Sequence, residues 1–152
     1  MAVYADLAQW TRRPEALART SLPRTVLLGD PAAFTVAAVH NPHMADAEGH
    51  PQRINSAAAR AEWLALAAAY RALGLAVEVL PADPSLPDLC FTANPSLALP
   101  LPQGWEIWLA HMTHASRRPE ADLHAEWYAT RGLTLRRMPD SVARFEGGGD
   151  GI

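Results

Sequence analysis

Residues 73–81 read LGLAVEVLP, and residues 131–139 repeat the pattern as RGLTLRRMP. In both stretches a glycine follows a helix-forming segment and precedes a short strand-forming run, which is typical of a helix that ends at a left-handed glycine. The interval from Gly74 to Gly132 is 58 residues. Repetition at this interval predicts successive supersecondary units that complete each other's core. A chance likeness between two helix-to-strand junctions is the alternative.

The residues around the first glycine predict the order strand, strand, helix, strand. The predicted strands are residues 24–29 (RTVLLG), residues 34–39 (FTVAAV) and Ala76–Leu80 (AVEVL). The helix covers residues 55–73 and is capped by Asn55 or Ser56, with Trp63, Leu66, Tyr70 and Leu73 at helical spacing.

The residues around the second glycine predict the same order. The predicted strands are residues 90–99, 105–112 (WEIWLAHM) and 134–138 (TLRRM), and the helix covers residues 116–130 with Ser116 as its cap. We therefore expect one incomplete α/β domain. It would consist of an N-terminal arm or helix (1–23), a first unit (24–82), a second unit (83–140) and the start of a third (141–152).

Composition excludes several classes of protein. The 152 residues are 49% hydrophobic with a net charge of −3, which is typical of a packed globular domain and argues against nucleic-acid or membrane-surface binding. No stretch approaches the roughly 20 apolar residues of a membrane span, and the first residues lack a signal-peptide core. The single cysteine, Cys90, excludes an internal disulfide. We expect a cytoplasmic protein.

Residues 87–94 (PDLCFTAN) carry the first candidate site residues. On a strand Asp88, Cys90, Thr92 and Asn94 would share one face. A guanidinium ion binds well to carboxylates because its paired N–H groups match two oxygens, so Asp88 with Asn94 could bind such a group. The alternative is that Asp88 closes the proline-rich turn before the strand.

Residues 145–152 (FEGGGDGI) carry the second set. Three successive glycines allow a backbone to approach a ligand closely, and Glu146, Gly148 and Asp150 share a face if the segment is extended. Glu146 also lies 58 residues after Asp88. A flexible turn is the alternative. No phosphate-binding loop or dinucleotide fingerprint is present, and we expect no cofactor.

The histidines and the cysteine are weaker candidates. His40 and His43 are three residues apart, as are His111 and His114, but neither pair supplies the three or four ligands that a metal requires, so we expect no metal site. Cys90 lies between Leu89 and Phe91, which favours a buried, unreactive thiol over a nucleophile.

Four stretches together resemble the pentein superfamily of guanidino-modifying enzymes, which includes amidinotransferases, arginine deiminases, dimethylarginine dimethylaminohydrolases and arginine dihydrolases. They are HNPHM (40–44), PDLCFTANPSL (87–97), SRRPEADLHAEWY (116–128) and FEGGGD (145–150). The resemblance covers about residues 24–152 and the N-terminal half of such an enzyme. It implies a propeller of five strand-strand-helix-strand units, of which this chain would hold two and the start of a third.

The resemblance also implies a mechanism in which a cysteine thiolate attacks the guanidino carbon and a histidine moves protons. Asp88 would be the guanidinium-binding carboxylate, and Glu146 the catalytic acidic residue beside the histidine. Asn94 would bind substrate at a position that is Asp in the deiminases and Asn in the dihydrolase branch, which favours a hydrolase. Asp150 would also bind substrate. In some relatives an arginine binds the substrate carboxylate, and Thr113 or His114 would take its place here.

Both the nucleophile and the catalytic histidine of the superfamily follow the FEGGGD segment, so we expect this chain alone to be inactive. The expected function is part of a hydrolase or an amidinotransferase that acts on arginine or a derivative. The alternative is a non-catalytic guanidinium-binding or interaction domain. We expect an incomplete propeller to self-associate or to need a partner with the remaining units, because it exposes strand edges and apolar surface.

Overall fold

A computed structural model describes residues 24–101, 103–139 and 141–151. The expected arm at residues 1–23 lies outside this range. The fold is α/β. Its strands are β1 (Thr25–Gly29), β2 (Ala76–Leu80), β3 (Ser96–Leu101), β4 (Gly104–Leu109) and β5 (Thr134–Arg137), and its helices are α1 (Ser56–Ala72) and α2 (Arg118–Ala129). None of the described helices is long and apolar enough to cross a membrane.

Both helices connect two parallel strands. β1 pairs with β2 in parallel, and α1 lies between them in the chain. β4 pairs with β5 in parallel across α2, and β3 pairs with β4 antiparallel. The crossover units β1-α1-β2 and β4-α2-β5 therefore correspond to each other, which makes β1 the counterpart of β4.

The two repeated glycines end the two helices in the same way. Gly74 and Gly132 have φ angles of 81° and 68°, where a side chain would be strained. Each glycine amide donates to the carbonyl three residues earlier, at 2.9 and 3.0 Å. The next amide donates to the carbonyl of a tyrosine, at 3.1 and 3.4 Å. This Schellman pattern confirms the helix ends that the repeat predicts.

The helix starts agree with the sequence in one case only. Asn55 caps α1, because its side chain accepts a hydrogen bond from the Ala58 amide at 3.1 Å. The prediction that Ser116 caps α2 is wrong. Ser116 lies in a 3-10 turn, Ala115–Arg117, and α2 begins directly after it without a side-chain cap.

The strand predicted at residues 34–39 does not form. The Phe34 amide instead donates to the Pro31 carbonyl at 3.0 Å and closes a 3-10 turn, Pro31–Ala33, and the Phe34 ring packs edge-on against Phe91. A β-prone composition gives a strand only where a partner supplies hydrogen bonds, and β1 takes β2 as its partner. The strand order predicted for the first unit is therefore wrong.

Residues 87–94 form turns, so the predicted shared strand face of Asp88, Cys90, Thr92 and Asn94 is also wrong. The strand begins only at Ser96. Pro81, Pro84 and Pro87 have no backbone N–H to donate to a ladder, which favours turns in this segment. Glu146 likewise lies outside any strand, at the start of a 3-10 turn, Gly147–Gly149, so the extended arrangement of residues 146–150 does not occur.

Two hydrophobic clusters form the core. Leu80, Leu86 and Leu89 form the first, and Ile107, Leu109 and Tyr128 form the second. Leu27 of β1 and Trp127 of α2 pack against both clusters. The second helix thus holds the two sheets together.

The first helix is covered less completely. Ala67 is its buried residue, whereas Leu66 and Leu73 are 45% and 76% exposed. Only Trp63 and Tyr70 of the apolar residues noted at helical spacing are partly buried.

We expect Trp127→Ala to lower the free energy of unfolding by about 3 kcal/mol, because it removes the ring that contacts both clusters. Urea denaturation followed by far-UV circular dichroism measures this change. Trp105→Ala is the matched control, since the Trp105 side chain is 42% exposed on β4, and it should cost less than about 1 kcal/mol. Equal losses in the two variants would contradict the role of Trp127.

Candidate active site

A cleft of about 450 Å³ lies beside the turns that follow β2 and β5. Its polar and charged lining consists of His40, Asn41, His43, Gln52, Asp88, Asn94, His114, Arg117 and Glu146. Its apolar lining consists of Phe34, Val36, Met44, Ile54 and Phe91. The cleft therefore combines carboxylates, one guanidinium and an apolar wall.

Asp88 is held in the cleft by the core beneath it. Leu86 and Leu89 flank it and are buried in the first cluster, and the turn is closed by hydrogen bonds from the Leu89 amide to Leu86 and from the Phe91 amide to Asp88, at 3.0 and 2.9 Å. Asp88 is only 8% exposed. Its Oδ2 lies 3.7 Å from His40 Nε2, and its buried Oδ1 accepts no hydrogen bond from any described residue. A mostly buried carboxylate with an unpaired oxygen is costly, so a cation that donates hydrogen bonds to the Asp88 carboxylate would be favoured.

Arg117 lines the cleft, and the carboxylate of Glu120 balances its positive charge. Its Nε and Nη2 donate to the two carboxylate oxygens of Glu120, at 2.9 and 2.7 Å, and both side chains are almost fully buried. Burial disfavours the guanidinium, but the hydrogen bonds and charge of Glu120 outweigh it and raise the pKa of Arg117. The remaining nitrogen, Nη1, lies 3.4 Å from Asn94 Oδ1. Arg117 therefore presents one edge to the cleft beside Asn94.

Glu146 is fixed at both its backbone and its side chain. Its Oε1 accepts a hydrogen bond from the Thr113 amide at 3.1 Å, and its own amide donates to Asp150 Oδ2 at 2.7 Å. The bond from Thr113 lowers the pKa of Glu146 against the opposing effect of burial. Glu146 is therefore a carboxylate at neutral pH, and it lines the cleft.

The candidate residues converge only in part. Asp88, Asn94 and Glu146 line the cleft, whereas the Asp150 side chain caps the Glu146 turn. Burial, followed by the Asp88 charge, raises the pKa of Cys90 to about 11, so its half-buried thiol stays protonated at neutral pH. This agrees with the unreactive thiol expected from the sequence.

His114 lines the cleft and stacks on His40 with 3.9 Å between the ring centroids. Thr113 contributes its backbone amide to Glu146. Within residues 24–101, 103–139 and 141–151, no three histidine, cysteine or acidic side chains are arranged to hold a metal ion.

Sequence reasoning missed Arg117 as a site residue. The available signal was its position three residues before Glu120 at the start of a helix, a spacing at which an arginine and a glutamate can pair. That pairing alone is equally compatible with an exposed helix surface. Only the tertiary contact with Asn94, 23 residues earlier in the chain, brings Arg117 into the cleft.

The repeat explains why two carboxylates meet in one cleft. Asp88 and Glu146 each lie 12 residues after the first residue of the crossover strand that precedes them, Ala76 of β2 and Thr134 of β5. Each follows that strand in a turn. The 58-residue interval therefore places both acids at equivalent points of successive units, although neither lies on a strand.

Comparison with known proteins identifies the family. Residues 30–152 match the family model described as N,N dimethylarginine dimethylhydrolase, eukaryotic. The chain belongs to this dimethylarginine dimethylhydrolase family. The family and its structural neighbours place the chain in the pentein superfamily. No curated protein matches the chain.

Solved structures of this superfamily match most of this chain. A cysteine-to-alanine variant of AgrE in complex with L-arginine is 30% identical, with a TM-score of 0.70 over 84% of this chain and 18% of AgrE. The substrate-bound N-terminal domain of ArgZ, an arginine dihydrolase from cyanobacteria, is 26% identical, with a TM-score of 0.71 over 82% of this chain and 43% of that domain. The chain thus spans less than half of the structures it matches.

A third structure shows the same fold at lower identity. It is a dimethylarginine dimethylaminohydrolase variant as an adduct with S-methyl-L-thiocitrulline, and it is 19% identical. The TM-score is 0.67 over 84% of this chain and 46% of that enzyme.

His124 lies fully buried in this dimethylarginine dimethylhydrolase-family chain, on α2 one turn beyond Glu120. Neither ring nitrogen has a hydrogen-bond partner among the described residues. Burial, together with the charge of Arg117, lowers the pKa of His124 to about 4. The ring is therefore neutral in the folded protein at neutral pH.

We expect His124 to weaken the fold as the pH falls from 6.5 towards 4. The unfolded chain takes up a proton on this histidine near pH 6.5 and the folded chain only near pH 4, so stability falls across this window by up to about 3 kcal/mol. Urea denaturation of the wild type and of His124→Leu at pH 7, 6, 5 and 4 measures the effect. The pH dependence should be shallower in His124→Leu but unchanged in His43→Leu, which alters an exposed histidine. Parallel curves for the wild type and His124→Leu would contradict this assignment.

Proposed function

We propose that this chain forms the guanidinium-binding part of a hydrolase that acts on arginine or an arginine derivative. The observation that carries the proposal is the Asp88 carboxylate, which lines the cleft and whose buried Oδ1 has no hydrogen-bond donor among the described side chains and backbone. A guanidinium ion supplies what this oxygen lacks, a planar cation with several N–H donors.

The charge balance of the cleft supports a cationic ligand. Glu120 offsets the charge of Arg117 through two hydrogen bonds, which leaves the carboxylates of Asp88 and Glu146 as the net charge of the cleft. Both carboxylates lie close enough to Arg117 to favour its charged form. We assign the guanidinium to the side of the cleft formed by Asp88 and Glu146, with Asn94 as an additional acceptor.

The opposite end of an amino-acid substrate requires a donor for its carboxylate. We assign this role to the Nη1 edge of Arg117 and to His114, because both line the cleft. We assign this role to Arg117 in place of Thr113, because Arg117 lines the cleft and Thr113 is not among the lining residues. The apolar wall that includes Phe34, Val36 and Met44 suits the aliphatic part of arginine.

The structural neighbours favour arginine as the ligand class. AgrE is described with L-arginine, and ArgZ is described as an arginine dihydrolase. The protonated thiol of Cys90 is unsuited to nucleophilic attack, so we assign no covalent step to it. The role we propose for these residues is to bind the guanidinium and to place Glu146 for proton transfer. The pentein arrangement we propose is a partial propeller, with units at residues 24–82 and 83–140 and a third beginning at residue 141.

We expect Asp88→Asn to weaken the binding of L-arginine by about 1.5–3 kcal/mol, roughly 10- to 150-fold, because the neutral amide replaces a charged acceptor of the same shape. Isothermal titration calorimetry with L-arginine measures this loss. L-Citrulline, whose ureido group carries no charge, should bind the wild type more weakly than L-arginine does. Its affinity should also differ less between the wild type and Asp88→Asn. Asp122→Asn, which alters an exposed carboxylate on α2, is the matched control. Unchanged affinity in Asp88→Asn would exclude Asp88 from the guanidinium site.

We expect Glu146→Gln to reduce turnover more than binding in a catalytically active protein that contains this segment. The amide oxygen can still accept the Thr113 hydrogen bond, but the group no longer stabilises a protonated neighbour or exchanges a proton. Steady-state kinetics should therefore show a fall in kcat of at least 100-fold with a change in KM of a few-fold. A loss confined to KM would assign Glu146 to binding alone.

A further inference from the structure

Gly147, the residue after Glu146, occupies a position that no other amino acid fits. It is buried and has a φ of +50°, in the left-handed region. A Cβ atom added to it would lie 2.4 Å from the Ser96 carbonyl oxygen, 2.6 Å from that of Asn94 and 2.7 Å from that of Ala93. Main-chain oxygens cannot rotate away as a side chain can, so any side chain here would push two segments of backbone apart.

The three oxygens belong to the segment that carries Asn94 into the cleft. The contact continues at the next residue, since the Gly148 amide donates to the Ala93 carbonyl at 2.8 Å. The Gly151 amide closes the turn by donating to the Gly147 carbonyl at 2.9 Å. The turn after Glu146 therefore sits directly on the backbone before β3, and Gly147 is the point of closest approach.

This contact lies directly beside Glu146 in the chain. The Glu146 carboxylate reaches the Thr113 amide at 3.1 Å, and that bond requires the turn to lie close to the rest of the fold. We infer that Gly147 is a positioning residue, which holds the Glu146 carboxylate against Thr113 and in register with Asn94 across the cleft. The catalytic consequence rests on the proposed function, but the positioning itself does not.

A left-handed glycine can also be required merely to form a turn, and Gly132 separates the two roles. It has a similar φ of +68°, but a Cβ atom added there would meet nothing within 4 Å. Gly132→Ala therefore imposes backbone strain without crowding. Gly147→Ala imposes both, and its crowding is against the backbone of residues 93–96.

The test uses nuclear magnetic resonance of the 152-residue chain and follows the Thr113 amide while the pH is lowered through the titration of Glu146. In the wild type and in Gly132→Ala, the Thr113 proton should move upfield as its acceptor is neutralised. In Gly147→Ala, this change should fall by at least half, and L-arginine affinity should fall at least fivefold. A full Thr113 titration in folded Gly147→Ala would overturn the inference.

Gly148→Ala keeps the test decisive if Gly147→Ala does not fold. A Cβ atom at Gly148 would lie 3.3 Å from the Ala93 carbonyl, which is a milder crowding of the same contact. The Thr113 titration should then be reduced by a smaller amount in the folded variant, and an unchanged titration would overturn the inference. If the wild type does not bind L-arginine, the proposed function fails, whereas the Thr113 readout still decides the role of Gly147.

Discussion

The packing of Trp127 against both hydrophobic clusters is the contact on which the cleft depends. The first cluster lies beneath the turn that carries Asp88, and the second includes residues of β4 and α2. Arg117 directly precedes α2, and Glu120 lies in its first turn. The turn that carries Asp88 and the start of α2, which carries Arg117 and Glu120, do not belong to a common sheet. The distance between these two groups of site residues depends on how α2 packs against Leu80 and Leu89 of the first cluster. The geometry of the polar cleft therefore follows from apolar packing.

An ion pair also connects the two crossover units, β1-α1-β2 and β4-α2-β5. Arg131, just beyond α2, donates from Nε to Glu78 of β2 at 3.0 Å, and the pair is partly exposed. Exposed pairs of this kind typically contribute about 1 kcal/mol or less to folding stability. This pair therefore does more to orient the end of α2 relative to β2 than to stabilise the fold. The Ser96 and Tyr128 hydroxyls, 2.9 Å apart in the interior, add a buried link between β3 and α2. The residues around Asn94 are thus fixed from the helix side and, through Gly147, from the turn side.

Local signals in the sequence predicted the parts of the fold that local interactions determine. The ends of both helices follow from Gly74 and Gly132, because the left-handed conformation is a property of a single residue. β2 and β5, which begin just after these glycines, follow with them. Residues 34–39 were mispredicted because their composition favours a strand but does not reveal whether a partner is available. Asp88 and Asn94 were predicted to share a strand face, whereas a turn that buries Leu86 and Leu89 brings both of them to the cleft.

Arg117 shows why the rest of the site was beyond sequence reasoning. An arginine three residues before a glutamate is ordinary on a helix surface, and the buried, two-pronged pair with Glu120 exists only because α2 is covered by the core. Such a pair is costly to desolvate and contributes little net stability by itself. Its presence beside a cleft is therefore better explained by the hydrogen-bond donor that Arg117 directs into the cleft than by a contribution to folding stability. With two nitrogens occupied by Glu120, Arg117 has a fixed orientation and offers only its Nη1 edge. A side chain that is both immobilised and charge-compensated can orient an anionic group without attracting anions to the cleft in general. In the function we propose, this leaves Asp88 and Glu146 to favour a cation in the cleft.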